Sequence, residues 1–327
     1  MKYIIRHQFR NINIIGLDFY VTNFFQKFYN ELKEKYPQHE FEISLDPEYE
    51  KYGQGGVYSC MSLSLINPNN DNYVLISFFD NWKYHFMSHL GWNGNNMKKF
   101  FYAGGFNYLD YFNFKQTKND DLRFPENIEL VYEPFFYNPY FDCCYGKMTE
   151  LFENRTPKHD KLFFRGWMWD SRKNMTENIN RDDILIIDKN VGEGNLNYIE
   201  YLNELSEYKV SLSLPGGTEI CNRDIESFAI GIPVLRPSLS VNYPNPLIPN
   251  YHYISFFHHC DYIDMGNPKY LDYRAFQKNL EYTWELVKNN DEYLNFVSKN
   301  ARNWFLNNCS IDKNIDLILN KIDLEIL

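Results

Sequence analysis

The sequence predicts an α/β chain of two Rossmann-type domains, and three observations carry that expectation. Strand-like and helix-like segments alternate, the strands of the second half are short and apolar throughout, and the length exceeds what one core holds. At 327 residues the chain passes the roughly 250–300 beyond which a single core splits. We therefore expect an N-terminal α/β domain over 1–155 and a second, ligand-binding domain over 156–290. Helices over 291–327 are expected to pack back across both, with a cleft between the domains. The composition supplies the material: 44% hydrophobic and 18% aromatic residues, with Tyr 27 and Phe 27, which argues against disorder.

The elements follow in order. Phe24, Phe25, Phe28 and Leu32 recur at helical spacing and predict a helix from about Phe19 to Tyr36, which Pro37 ends. FEISL (Phe41 to Leu45), the alternating VYSCMSLSLI (Val57 to Ile66) and YVLISFF (Tyr73 to Phe79) are bounded by Asn, Pro, Gly or Asp and read as strands. From Trp82 to Asp160 the chain is aromatic, rich in Asn and punctuated by Pro125, Pro134 and Pro139, and no period stands out. The second half is clearer. LFFRG (Leu162 to Gly166), DILIID (Asp183 to Asp188), YKVSLSLPG (Tyr208 to Gly216) and IPVLRP (Ile232 to Pro237) read as strands, with helices over Asn197 to Glu207 and Asn222 to Ala229. Near-continuous apolar strands joined through helices predict a parallel sheet whose ligand crevice lies beyond the strands' carboxyl ends. In the tail, Phe276, Leu280, Trp284 and Val287, then Tyr293, Phe296, Val297, Ala301 and Phe305, predict two or three amphipathic helices.

A formal charge of −10 repels phosphate backbones and anionic lipid, so nucleic acid is not an expected partner and any anion site must be built locally. The opening MKYIIRHQFRNINIIG is broken by Arg6, His7 and Arg10, and no apolar stretch reaches the length of a membrane span. We expect a cytoplasmic protein without a transmembrane segment. The six cysteines lack CxxC spacing, as expected for reduced thiols.

The segment richest in chemical signal is SLPGGTEICNRDIESFAIGIPVLRP, from Ser213 to Pro237. A strand runs into Pro215, Gly216 and Gly217, and a helix opens a few residues later. Glycines let backbone N–H groups approach an anion, and the helix start adds partial positive charge. Thr218 lies on the same loop and Asn222 at the helix start. Arg223, in the first turn, is suited to a forked contact with a diphosphate. Glu226, three residues on and on the same face, is placed to accept from ribose hydroxyls. Gly231 stops the helix and Pro233 opens the next strand. An ordinary strand, turn and helix with an Arg–Glu surface pair accounts for the local pattern equally well.

The chain contains no Asp-x-Asp, HExxH, GxxxxGK[ST] or GxGxxG motif. His258, His259 and Cys260 are adjacent, which suits one metal poorly because neighbouring strand side chains point apart. No metal or other cofactor is therefore expected. Trp167 and Trp169 directly follow Arg165 and Gly166 and are candidates for stacking on a sugar ring.

LFFRG, the Ser213 to Pro237 segment and KNNDEYLNFVSKNARNWFLNNC together resemble the CAP10-type family of protein O-glucosyltransferases and O-xylosyltransferases, and more loosely the exostosin-like transferases. The resemblance implies a GT-B-like frame and a glycosyltransferase that uses a nucleotide-diphosphate sugar, UDP-glucose or UDP-xylose, without metal and with inversion. It implies Arg165, Gly166, Gly217, Thr218 and Arg223 at the donor diphosphate. It implies Asp80, at the end of YVLISFFDNW, as the base acting on a hydroxyl of a glycan or protein acceptor. Asp224 and Glu226 stand where that family has basic residues, and the stretch before Tyr73 matches none of its features. A structural salt bridge for Arg165 and a cap or turn for Asp80 are the simpler local readings. A retaining transferase, a nucleotide-sugar epimerase and a non-catalytic carbohydrate-binding or structural protein remain alternatives on the same frame.

Overall fold

The computed structural model describes residues 1–8, 17–45, 62–77, 96–102, 129–131, 139–168, 170–189, 196–215, 220–239, 245–256 and 272–327. The protein is α/β, with two mostly parallel sheets. It divides into two compact units: Met1–Gly104, Phe114–Cys143 and Cys309–Leu327 make the first, Gly105–Asn113 and Cys144–Asn308 the second.

The first unit is built on a mixed sheet. Its strands are β1 (Lys2–Gln8), β2 (Glu40–Leu45), β3 (Ser62–Ile66), β4 (Tyr73–Ser77), β5 (Met97–Tyr102) and β6 (Glu129–Val131), in the order β2-β1-β3-β4-β5-β6. β3 runs antiparallel to both its neighbours, and the other pairs are parallel. Tyr3 and Ile5 alternate into the core from β1, and Val74 and Ile76 do so from β4, as the period of two requires. Helix α1 (Leu17–Lys35) presents Phe28 and Leu32, one turn apart, to the same core. The far end of the sequence completes it. Helix α8 (Ile311–Lys321) and a 3₁₀ turn over Leu324–Ile326 contribute Ile315, Ile318, Leu319, Leu324 and Leu327. Polar ties accompany the packing: Lys99 Nζ donates to the Lys321 carbonyl at 2.7 Å and Tyr36 Oη to that of Ile322 at 3.2 Å.

The second unit carries an all-parallel sheet. Strands β7 (His159–Gly166), β8 (Ile184–Asp188), β9 (Tyr208–Leu212), β10 (Val234–Pro237) and β11 (Ile254–Phe256) lie in the order β11-β10-β9-β7-β8. Leu162, Phe163, Phe164, Val210, Leu212, Val234 and Leu235 are all buried, which is why these strands read as unbroken apolar runs. Its helices are α2 (Pro139–Asn154), α3 (Asp170–Thr176), α4 (Tyr198–Ser206), α5 (Asn222–Ile230), α6 (Tyr273–Val287) and α7 (Asp291–Asn308); the part of α2 from Cys144 onward belongs to this unit. α3 packs on α6, while α5 packs on α4 and α7. The first strand of this sheet has the second on one side and the third on the other. The chain therefore reverses direction of travel between β7 and β9, and the carboxyl ends of those two strands form the topological switch point of a doubly wound sheet.

Local sequence sets the helix ends there. At α4, Asn197 Oδ1 accepts from Glu200 N and Glu200 Oε2 accepts from Asn197 N, both at 2.9 Å, a capping box. At α5, Asp224 Oδ2 accepts from Cys221 N at 2.7 Å. α5 ends on Gly231 at φ 72°, ψ 40°, where Ile232 N returns to Ser227 O at 2.8 Å. Glycine suits this left-handed closure because it has no Cβ to clash. Among the described residues no helix is long and apolar enough to cross a membrane, and Cys144, Cys221 and Cys309 form no disulfide.

Candidate functional site

Three chain segments leave the sheet at the switch point. β7 ends in Arg165, Gly166 and Trp167, β8 is followed by Lys189, and β9 runs out through Ser213, Leu214 and Pro215. Helices α3 and α5 add Arg172 and Arg223. Positive side chains thus gather at the carboxyl ends of parallel strands, where doubly wound sheets bind ligands.

Arg172 ties the loops together. Its Nε donates to the Pro215 carbonyl at 2.8 Å, Nη1 to Trp167 at 2.8 Å and Nη2 to Leu214 at 2.9 Å. One buried guanidinium thereby fixes the exit of β7 against the exit of β9. Its carbon lies 5.4 Å from the centre of the Phe164 ring.

Arg223 reaches the same ring from α5, at 4.1 Å, within cation–π range. Its Nη2 donates to the carbonyl of Arg165. Gly166 makes that approach possible: a Cβ there would stand 2.6 Å from Arg223 Nη2 and 3.2 Å from the Phe164 ring.

Behind Arg223 sits a buried carboxylate. Glu226 accepts from Tyr198 Oη at 2.9 Å and from Tyr201 Oη at 3.0 Å. Burial pushes its carboxyl pKa up, while Tyr198, the Arg223 charge and Tyr201 oppose the shift. Both phenols are raised well above their usual value, first by burial and then by the Glu226 charge. Arg223 acts against that shift at Tyr201. A further ion pair secures the helix beneath: Arg236 Nη1 on β10 lies 3.0 Å from Asp224 Oδ1, both buried.

Lys189 completes the cationic face. Its backbone N donates to the Gly166 carbonyl at 3.1 Å, and its Nζ lies 4.3 Å from the centre of the Trp167 ring, a residue that is 49% exposed. Burial lowers the lysine pKa, repulsion from Arg223 and Arg172 lowers it further, and Glu226 opposes them.

The residues singled out in the sequence distribute as follows. Arg165 and Arg223 do meet, but through the Arg165 carbonyl. The Arg165 guanidinium turns to α4, where Nε and Nη2 form a forked pair with Glu204 at 2.5 and 2.6 Å. Gly166 lies against Arg223, Asn222 is exposed at the start of α5, and Glu226 is directed at the two tyrosines. Trp167 borders the site beneath Lys189. Asp80, Trp169, Gly216, Gly217 and Thr218 lie outside the described residues, as do His258, His259 and Cys260. The sequence reading did not single out Lys189, Arg172, Tyr198 or Tyr201. Lys189 had a usable signal, because it follows an apolar parallel strand directly, as Trp167 follows β7. Among the described residues no group of three His, Cys, Asp or Glu side chains is arranged to hold a metal ion.

No protein-family model matches the chain, and no curated protein matches it either.

Proposed function

We propose that the chain is a glycosyltransferase with a GT-B-like frame. It takes a sugar from a nucleotide-diphosphate donor, UDP-glucose or UDP-xylose, and passes it to a hydroxyl of a glycan or protein. The observation that carries this reading is the gathering of Arg172, Arg223 and Lys189 at the switch point of an all-parallel sheet. In a chain of net charge −10 the overall field does not attract anions, so a local cationic face at a ligand crevice favours a phosphorylated ligand. Under this reading Arg223 contacts the donor diphosphate, together with the loop carrying Gly216, Gly217 and Thr218. The carbonyl of Arg165 and the space at Gly166 hold Arg223 in position. Guanidinium charge then stabilises the leaving diphosphate, and Asp80 removes the proton of the attacking hydroxyl for direct inversion at the anomeric carbon.

One observation favours a second reading, a nucleotide-binding or carbohydrate-binding protein without turnover. Arg165 and Glu226, two charged groups suited to a donor, are engaged by Glu204 and by Tyr198 and Tyr201.

Calorimetry with UDP, GDP and their sugars, followed by transfer assays on the nucleotide sugars that bind, separates the two. Arg223→Ala is expected to weaken UDP binding about tenfold or more, the scale of one lost charge-assisted hydrogen bond. Asp80→Asn is expected to bind the donor normally and transfer little. A wild-type chain that binds no nucleoside diphosphate refutes both readings of the site as a nucleotide pocket. Binding with neither transfer nor donor hydrolysis leaves the non-catalytic reading.

A further inference from the structure

Lys189 is marked by its surroundings: it directly follows β8 at the carboxyl ends of the parallel strands, among like charges, whereas several other lysines of this acidic chain sit beside carboxylates. Lys27, Lys99, Lys147, Lys209 and Lys288 each reach a carboxylate. Among the described residues Lys189 has no carboxylate within ion-pair distance, and its ammonium lies on the face of the half-exposed Trp167. Its electrostatic neighbours are mainly of the same sign: Arg223 from α5 and Arg172 from α3, opposed by the buried Glu226, which two tyrosines already engage. Crowding cations in a partly desolvated corner costs free energy unless an anion joins them. The covering indole offsets only part of that cost. A multivalent anion between Lys189 and Arg223 relieves that repulsion.

We propose that Lys189 is a ligand-contacting residue of this site: its ammonium leaves the face of Trp167 and pairs with the distal phosphate of a bound nucleoside diphosphate, while Arg223 holds the proximal one. The identity of the ligand rests on the reading given above. The contact itself requires only two linked phosphates. The backbone bond from Lys189 N to the Gly166 carbonyl fixes where the side chain starts, so the movement is one of rotamers.

The test is calorimetry on the full chain with UDP, UMP and inorganic pyrophosphate, for the wild type, Lys189→Gln and Lys189→Arg. Lys189→Gln is expected to weaken UDP and pyrophosphate about tenfold or more and to leave UMP nearly unchanged, because the distal phosphate is the lost partner. Lys189→Arg is expected to retain most of the affinity. UDP should also change tryptophan fluorescence in the wild type but not in Trp167→Phe, since the ammonium leaves the indole. If Lys189→Gln melts as the wild type does and binds UDP and pyrophosphate equally well, the proposal falls while the nucleotide pocket stands. An equal loss for UMP assigns Lys189 a merely structural role and also overturns it. If pyrophosphate binds and UDP does not, the nucleotide reading falls, and the pyrophosphate affinity of Lys189→Gln alone decides this proposal. If no diphosphate binds, both fall.

Discussion

A methyl group at residue 166 would meet Nη2 of Arg223 at 2.6 Å and the Phe164 ring at 3.2 Å. The second contact can relax by a few tenths of an ångström, but the first requires the guanidinium to leave the Arg165 carbonyl. Gly166→Ala therefore acts through a neighbour's charge. We expect a stability loss of about 1–3 kcal/mol, the range for overpacking a filled site, read from urea unfolding. The same variant should lose UDP affinity by a factor comparable to Arg223→Ala. Full affinity in a destabilised Gly166→Ala would show that the position of Arg223 does not matter to the ligand. The places of Arg165 and Gly166 at the end of a strand and of Arg223 in the first turn of a helix were legible in the sequence because local rules set where strands end and helices begin. The partners of Arg165 and Glu226 were not legible. Glu204, Tyr198 and Tyr201 all lie on α4, and only the side of the sheet on which that helix packs brings them to the carboxylate and the guanidinium.

Strand β8 sits at the edge of its sheet, and a short ion-pair network ties its entrance to the end of α6. Arg181 Nε and Nη2 donate to the two Asp183 oxygens, each at 2.8 Å, Arg181 Nη2 also lies 2.7 Å from Glu285, and Lys288 Nζ lies 3.1 Å from Asp183. The Arg181 bonds hold the Asp183 carboxyl well below the usual carboxylate range, helped by Lys288 and Trp284 and opposed by burial. A depressed folded pKa contributes stability that is present above the unfolded value, near about 4, and is lost as the pH falls toward the folded one. Asp183→Asn should then cost about 1 kcal/mol at pH 7, a figure reduced for partial exposure, and the gap to wild type should close as the pH drops below about 4. Denaturant melts across that range check it, and a gap constant with pH would show that the charge contributes nothing. At this scale the sequence was most readable where one physical pattern dominated. β7 to β10 stood out as unbroken apolar runs, and the three terminal helices as amphipathic periods. β5 mixes Lys98 and Lys99 into MKKFFY, β11 is only ISF, and α2 reads PYFDCCYGKMTELFEN. In such segments pairing partners and tertiary burial decide the conformation more than local pattern does.

The molecule's two units are unequal in how the chain supplies them. The second is drawn almost wholly from one stretch, 144–308, whereas the first needs residues 309–327 beside strands laid down some 200 or more positions earlier. Ile315, Ile318, Leu319, Ile322, Leu324 and Leu327 lie in the same core as Tyr3, Phe28 and Val74. At about 1.5–3 kcal/mol for each large apolar side chain buried, their combined contribution is on the order of 10 kcal/mol, an upper estimate because unfolded chains bury some surface already. A domain's entire net stability is about 5–15 kcal/mol, so the first unit is not expected to survive without them. The core around Phe164, Leu212 and Trp284 contains no residue beyond Val297. A chain truncated after Asn308 should therefore lose hydrogen-exchange protection in β1 to β5 while β7 to β10 remain protected. Trypsin should then cut in the first unit and spare the second. If truncation leaves the exchange pattern of β1 and β4 unchanged, the terminal segment only covers the first unit. If protection in β7 to β10 disappears as well, the two cores are one cooperative structure, and the nucleotide pocket proposed for the second unit depends on the first for its integrity.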